Sequence, residues 1–210
     1  MKRVLAPFAM PVAVVLVLAG CKDQQVQRQK PAPDAKTESS DTQDVSFGGD
    51  AGYGMRVPRA WKKETPANAQ RMVQFCVPGQ KRCAENAELV VSIDYTGGGV
   101  FPYSPAAITA NWSAQFGGKE AVKNRREIAT AMTYKQTATI TDFEGTYTPA
   151  PPTGTASPKQ NHKMIGALIH EWGCYLCVTL VGPRATVEAN KAAFDKAVAS
   201  FRGGWVDVTE

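Results

Sequence analysis

Residues 164–183, MIGALIHEWGCYLCVTLVGP, restrict the fold of this 210-residue chain more than any other segment. They contain two apolar runs, 164–171 and 174–182, which are rich in Ile, Leu, Val and aromatic residues and are separated by Trp172 and Gly173. Such runs are typical of β-strands, and a glycine between them is typical of a tight turn. The segment therefore predicts a buried β-hairpin in the core of a globular domain.

The first 21 residues have the pattern of a secretory signal peptide. Lys2 and Arg3 precede an apolar run, and the run ends in Leu-Ala-Gly followed by Cys21. These last four residues match the lipobox of bacterial lipoproteins, whose precursors are diacylated on the cysteine and cleaved just before it. By this resemblance residues 1–20 are a lipoprotein signal peptide, and diacylglycerol on Cys21 anchors the chain in a membrane. The alternative is an ordinary secretory peptide in which Cys21 is an incidental thiol.

The segment after the signal peptide is polar and has almost nothing to bury. We therefore interpret residues 21–46 as the lipidated N-terminus and a disordered tether, and residues 47–210 as the globular domain. Lys22, and not an aspartate, follows the cysteine. By analogy with enterobacterial sorting, this favours the outer membrane, facing the periplasm, over the inner membrane. The sequence thus predicts a lipid-anchored protein of the bacterial cell envelope.

The charge of the chain is mild. Its 24 Lys and Arg residues include Lys2 and Arg3 of the leader, which leaves 22 basic against 19 acidic side chains. Nucleic-acid-binding proteins usually concentrate basic residues on one face, so we expect no nucleic-acid partner. The single local cluster, KNRR at residues 123–126, predicts a solvated loop, with contact to an anionic lipid or an acidic partner as the alternative.

The first half of the domain alternates strand patterns with one helix pattern. Residues 53–57 predict a strand that stops at Pro58, because proline has no N–H to donate to a sheet. Residues 71–77 and 88–95 predict two strands joined as a hairpin. A helix with Ser104 as its N-cap follows, and we expect it to bury a stripe formed by Ile108, Trp112 and Phe116.

The second half supplies a long strand, a loop and a second helix. Residues 134–148 predict a strand with a bulge near Gly145, and the proline-rich residues 149–163 predict an exposed loop. We expect the last helix to begin with Thr186 as its N-cap and to bury Phe194, Ala197, Val198 and Phe201. Antiparallel strands with two separated helices predict the α+β class, an antiparallel sheet flanked by helices.

Several of these motifs together resemble a known group of proteins. The order is VP-x-x-W, AELVVSIDYTGGG, ANWSAQF, DFEGTYTP, KMIGALIHE and VTLVGPRATVEANKAAFDKAVASF. This order is similar to that of uncharacterised exported bacterial proteins whose fold resembles PsbP, the extrinsic photosystem II subunit. The resemblance implies an α/β/α sandwich and carries no catalytic residue or cofactor. It also implies a non-enzymatic binding or accessory module whose partner is an unknown protein or small molecule.

Four cysteines remain besides the lipidation site, and an even number in an exported chain predicts disulfides. Three pairings are open. An antiparallel meander would place the loop between Cys76 and Cys83 and the turn at Trp172 at opposite ends of the sheet, which favours the local pairs. A bridge between Cys174 and Cys177 needs a turn or bulge, because three residues of extended strand span roughly 10 Å and alternate faces.

Two chemical alternatives use the same segment. Cys174 and Cys177 have the C-x-x-C spacing of a thiol-disulfide oxidoreductase, although such a site places its first cysteine at a helix N-terminus and these lie in a predicted strand. His170 with the two cysteines is the other alternative, a metal site. A tight turn at residues 172–173 would put His170 and Cys174 on opposite faces, and a structural zinc ion needs four ligands. No Gly-x-Ser-x-Gly motif of a serine hydrolase occurs, so we predict no catalytic residues. For the reasons given for His170 and Cys174, we also predict no metal.

Overall fold

The computed structural model describes residues 41–49, 52–79, 86–95, 104–132, 134–149, 157–171 and 174–203. The predictions for the signal peptide, Cys21 and most of the tether lie outside the described residues. So do Cys83 and the turn at residues 172–173. In the part of the chain that is described, no helix is long and apolar enough to cross a membrane.

Nine strands and two α-helices occur in the described residues. In chain order these are β1 (Thr42–Phe47), β2 (Tyr53–Pro58), β3 (Lys62–Glu64), β4 (Arg71–Val77), β5 (Ala87–Tyr95), α1 (Pro105–Ala114), β6 (Val122–Ala129), β7 (Thr137–Tyr147), β8 (Lys159–Glu171), β9 (Cys174–Pro183) and α2 (Arg184–Ala199). Seven strands form one antiparallel sheet in the order β3-β4-β5-β9-β8-β7-β6, and β1 pairs with β2 separately. This confirms the predicted α+β class, with a mostly antiparallel sheet and two helices.

The strands β8 and β9 lie at the centre of the large sheet and divide its core into two faces. On one face α2 and the β1–β2 pair cover a cluster that includes Ile165, Ala167 and Ile169 of β8. On the other face α1 covers Met164 and Leu168, the residues of β8 that alternate with them. Because successive strand residues point to opposite faces, the continuous apolar run of β8 supplies both cores.

The helix α1 lies directly against the middle of β8. A Cβ atom added to Gly166 would lie 2.5 Å from the ring of Trp112, so only a glycine lets the indole approach this closely. Ile108 and Phe116 are buried on the same side of the helix. The predicted stripe of α1 and its N-cap are confirmed, since the Ser104 hydroxyl accepts a hydrogen bond from the backbone N–H of Ala107 at 3.2 Å.

The boundary of the predicted tether needs correction. The sequence places residues 42–46 in the disordered tether, but they belong to β1, which pairs in register with β2. The physical reason is a short alternation, Val45 and Phe47, whose side chains are buried while their neighbours are not. Phe47 packs edge-on against Phe201 at 5.5 Å between ring centroids, so this strand completes the core around the end of α2.

Three further boundaries differ from the sequence predictions. The basic residues 123–126 lie in the edge strand β6 and not in a loop. The predicted loop 149–163 ends earlier, because β8 already begins at Lys159. The helix α2 begins at Arg184 with Pro183 at its cap, so Thr186 lies inside the first turn, where it is fully buried.

The strand assignment of the basic run follows from a buried ion-pair cluster beneath α2. Asp142 of β7, whose side chain is 2% exposed, accepts hydrogen bonds from Arg126 at 2.8 Å and from Lys191 at 2.6 Å. Lys163 is 3% exposed and donates to Glu144 at 2.9 Å and to Glu188. Burial raises the pKa of Asp142, but the hydrogen bonds from Lys191 and Arg126 outweigh it and hold that pKa below its ordinary value. The cluster therefore joins α2 to the sheet with charges that balance internally.

Candidate ligand-binding site

A cavity of about 550 Å³ lies at one end of the large sheet, on the same face as α1. Phe116, which follows α1 and belongs to the core beneath the helix, packs against Tyr147 of the cavity lining at 5.1 Å between ring centroids. The polar residues of the lining come from four separate segments: Asn68, Arg71, Asn86, Glu88, Tyr147, Lys159 and His162. We refer to this space as the polar cavity.

The register of the sheet explains why these residues meet. Glu88 at the start of β5 is paired with Val181 near the end of β9. At the same end of the sheet, Tyr147 is paired with Lys159, and His162 is paired with the last residue of β9. Four strands therefore begin or end here, and the side chains of their terminal residues lie around one space that α1 does not reach.

The charged residues of the polar cavity are only partly neutralised by one another. Arg71 donates from Nη1 to Glu88 Oε1 at 2.7 Å and to Gln74 Oε1 at 2.7 Å, and its side chain is 16% exposed. Lys159 forms no ion pair with another described residue. The lining thus carries two fixed positive charges and one negative charge, which favours an anionic ligand.

Two stacked aromatic rings form another wall of the polar cavity. Tyr147 stacks on His162 with 6.0 Å between ring centroids and 10° between planes. His162 Nδ1 lies 2.9 Å from the carbonyl oxygen of Gln160, a contact that requires the proton on Nδ1. Burial raises the pKa of Tyr147, and the charge of Glu88 raises it further while Arg71 opposes this. The phenol therefore stays protonated at neutral pH and can donate a hydrogen bond.

The predicted cysteine bridge in β9 is not formed. Cys174 and Cys177 are buried free thiols, and the strand between them pairs without a register shift with β5 on one side and β8 on the other. Because the strand is extended, the two side chains point to opposite faces, and the turn or bulge that a bridge requires is missing. Cys76 is also a free thiol. Its proposed partner Cys83 lies outside the described residues, so that pair stays a prediction.

The environment of these thiols opposes redox chemistry. Burial raises the pKa of Cys177 to about 12, and the nearby Asp94 and Cys174 add to the effect. Burial and the charge of Glu171 likewise raise the pKa of Cys174. An attacking thiol in an oxidoreductase needs the opposite shift, because the thiolate is the reactive form.

The metal alternative also finds no support in the described residues. His170 is paired with Tyr175, and their rings lie 5.1 Å apart. Cys174 is paired with Glu171, so it points to the face opposite His170, as the sequence predicted. No group of three or more His, Cys, Asp or Glu side chains that could hold a metal ion occurs in these ranges.

Sequence reasoning missed the polar cavity. The sequence predicts Arg71 and Glu88 only as strand ends, and it predicts a loop at His162, which is a buried residue of β8. No local signal identifies these residues as a site, because their proximity depends on the pairing of strands that are far apart in the chain.

Among the solved structures to which this chain is similar are the following two. One is cyanobacterial PsbP from Synechocystis sp. PCC 6803, with 12% identity over 82% of this chain and 98% of that protein, at a TM-score of 0.47. The other is a Pseudomonas aeruginosa protein of unknown function that has been suggested to be a regulator, with 17% identity over 70% of this chain and 88% of that protein, at a TM-score of 0.42. No profile of a protein family and no curated protein matches the chain. A PsbP structure is therefore among those to which the chain is similar, and at these TM-scores the likeness carries no conclusion about function.

Proposed function

We propose that this chain is a cell-envelope lipoprotein whose PsbP-like domain, an α/β/α sandwich, is a non-enzymatic binding module for a small polar anion. The observation that supports the proposal best is the polar cavity, where Arg71, Lys159 and Tyr147 surround a space of about 550 Å³. This volume lies within the range of small-molecule sites, which usually carry a few convergent polar groups. A carboxylate or phosphate group would accept hydrogen bonds from all three side chains.

Binding without chemistry is favoured because the lining lacks an activated nucleophile. None of the described residues that line the polar cavity is a serine, a threonine or a cysteine. The histidine that lines it directs Nδ1 at a backbone carbonyl and stacks on Tyr147, whose phenol stays protonated. Most of the other polar side chains of the lining are hydrogen-bond donors, which hold a ligand in place.

The location is proposed from the N-terminal sequence. Cys21 follows the lipobox and would carry the diacylglycerol that anchors the chain, with the outer membrane facing the periplasm favoured over the inner membrane. The polar segment after it would let the domain reach a ligand or partner protein away from the lipid surface. The balanced charge of the mature chain supports no nucleic-acid partner.

The binding proposal is tested by thermal unfolding of the full chain carrying Cys21→Ser, with citrate, succinate, inorganic phosphate and glycerol phosphate as probes. A ligand at 100 times its Kd adds roughly 2.7 kcal/mol to the free energy of unfolding. For a domain of this size, that raises Tm by about 5–10 °C. Neutral analogues of the same size should have no effect.

A matched pair of variants locates the effect. Lys159→Gln removes a positive charge from the polar cavity, whereas Lys62→Gln removes one from the exposed strand β3, which does not line it. We expect only Lys159→Gln to reduce the rise in Tm. If no anion raises Tm, or if both variants reduce the rise equally, the proposal is wrong.

A further inference from the structure

A second cavity, of about 790 Å³, lies on the same face of the sheet and runs along the flank of α1. One wall is the side of the helix that carries Ala106 and Ala110. The floor consists of Thr139 of β7 and Leu168 of β8, and the far wall is β6. We call it the α1 groove. It shares no lining residue with the polar cavity, so a ligand of one site does not depend on the other.

The α1 groove is open because α1 lies over the central strands of the sheet and not over the edge strand β6. Trp112 packs onto Gly166 and against Phe143 at 6.2 Å, which holds the helix above β7, β8 and β9. The helix surface that faces β6 carries only small side chains. The space above β6 and the outer half of β7 therefore stays open.

Apolar surface and unpaired positive charge meet in this groove. Val122 is one of two large hydrophobic side chains that are exposed in the described residues, at 41%. Arg125 and Lys119 line the groove, and neither forms an ion pair or a side-chain hydrogen bond with another described residue. Glu127 lies on the same face of β6 as Arg125 without pairing with it.

The next residue of β6, Arg126, does form ion pairs, in contrast to Arg125. Arg126 points to the opposite face, where it pairs with Asp142 at 2.8 Å and with Asp195 at 2.6 Å. Two adjacent arginines of one edge strand thus have opposite surroundings. The charge of Arg126 is used inside the protein, whereas the charge of Arg125 is directed to an open apolar groove.

The strand register shows which residues lie at the two ends of the α1 groove. Arg125 is paired with Thr141, which is paired with Gly166, and the floor continues past Leu168 to His170 and Tyr175. Four residues of β8 separate the two ends, which is about 13 Å of extended strand. A linear ligand would therefore lie with one end at Arg125 and Lys119 and with the other end at His170.

We propose that the α1 groove binds a single acyl chain that carries an anionic head group, as in a fatty acid. The chain would lie on Leu168 and against the alanines of α1, where apolar area leaves water. The carboxylate would accept hydrogen bonds from Arg125 and Lys119, whose donors have no other described partner. Charge complementarity selects this occupant over an uncharged chain of the same length.

The test is isothermal titration of the full chain carrying Cys21→Ser with laurate, kept below its micelle concentration. Dodecanol offers the same chain without the charge, and acetate offers the charge without the chain. We expect laurate to bind, dodecanol to bind roughly 25-fold more weakly, the size of two exposed charge pairs, and acetate to show no binding.

Two pairs of variants make the result specific. Arg125→Gln should weaken laurate roughly fivefold and leave dodecanol unchanged, whereas Lys123→Gln, a charge loss on the same strand outside the groove, should change neither. Ala110→Phe should block both ligands by filling the groove, and Asn111→Phe on the same helix should not. Ala106→Phe replaces Ala110→Phe if the latter fails to fold. Absence of laurate binding, or binding unaffected by the filling variant, would overturn the proposal.

Discussion

At the scale of single residues, the reactivity of a cysteine in this chain depends on how deeply its side chain is buried. Cys177 belongs to the core beneath α1, and its thiol has a pKa of about 12 because it is buried. Cys76 lies in β4 and is only half-buried, with the Asn86 side-chain amide 3.1 Å from its Sγ. The same residue type is therefore expected to differ strongly in reactivity within one sheet.

Alkylation of the folded chain with iodoacetamide at pH 8, after mild reduction of any bridge between Cys76 and Cys83, should label Cys76 and leave Cys177 unlabelled. A thiol whose pKa is about 12 is about one part in 10,000 thiolate at pH 8, and this fraction rises tenfold for each unit of pH below the pKa. Peptide mapping measures the labelling, and both sites should react alike after unfolding in denaturant. Labelling of Cys174 and Cys177 in the folded chain as fast as that of Cys76 would favour the oxidoreductase alternative.

The number and spacing of the cysteines could be read from the sequence, but their environment could not. Asp94, which adds to the effect of burial on the pKa of Cys177, comes from a strand about 80 positions away and is brought close by the pairing of β5 with β9. The expectation of a bridge to Cys174 depended on a bulge that the continuous pairing of β9 does not contain. Long-range register, and not composition, decides this chemistry.

At the scale of elements, the contact between α1 and β8 sets where the helix lies and hence where the groove opens. Gly166 lies in the first strand of the predicted hairpin, and the sequence alone gives no reason for a glycine there. In the structure it receives the indole of Trp112, and a Cβ atom would have to displace that ring.

Gly166→Ala should lower the free energy of unfolding by about 1–3 kcal/mol, the usual cost of forcing an extra carbon into a packed core. Urea unfolding measures the loss. In a Trp112→Leu background the added methyl group meets a smaller side chain, so the same substitution should cost clearly less. An equal loss in both backgrounds would mean that the contact with Trp112 is not what excludes a side chain at position 166.

The elements with strong apolar periodicity were predictable, and the others were not. The hairpin of β8 and β9, the hairpin of β4 and β5, and the buried stripe of each helix follow from local pattern. The strand β6 reads as a basic loop, because its sequence VKNRREIA has no apolar alternation. It becomes a strand through its pairing with β7 and through the ion pairs of Arg126, which local sequence does not reveal.

At the scale of the whole molecule, both candidate sites lie on the face that carries the shorter helix. The 10 residues of α1 make a helix of about 15 Å, whereas the 13 residues of β8 extend for about 43 Å. The opposite face is covered by the 16 residues of α2 together with the β1–β2 pair. The α1 face is therefore the one with room for ligands.

The anchoring of the molecule is tested by fractionation of cells that express the intact chain or Cys21→Ser. The intact chain should sediment with the outer membrane, because two or more acyl chains hold a protein far more firmly than one. The Cys21→Ser chain should no longer sediment with the outer membrane. Outer-membrane sedimentation of both chains would contradict the proposed lipid anchor.

The central claim, an anion-binding module with its site in the polar cavity, is tested most directly by NMR. Backbone amide shifts of the labelled chain carrying Cys21→Ser are recorded during titration with whichever anion raises Tm. We expect the changes to cluster at residues 67–71, 86–88, 147–149 and 159–162, and to vanish in Arg71→Gln. Changes that centre on Arg125 instead, or that scatter over the surface without saturating, would contradict the claim.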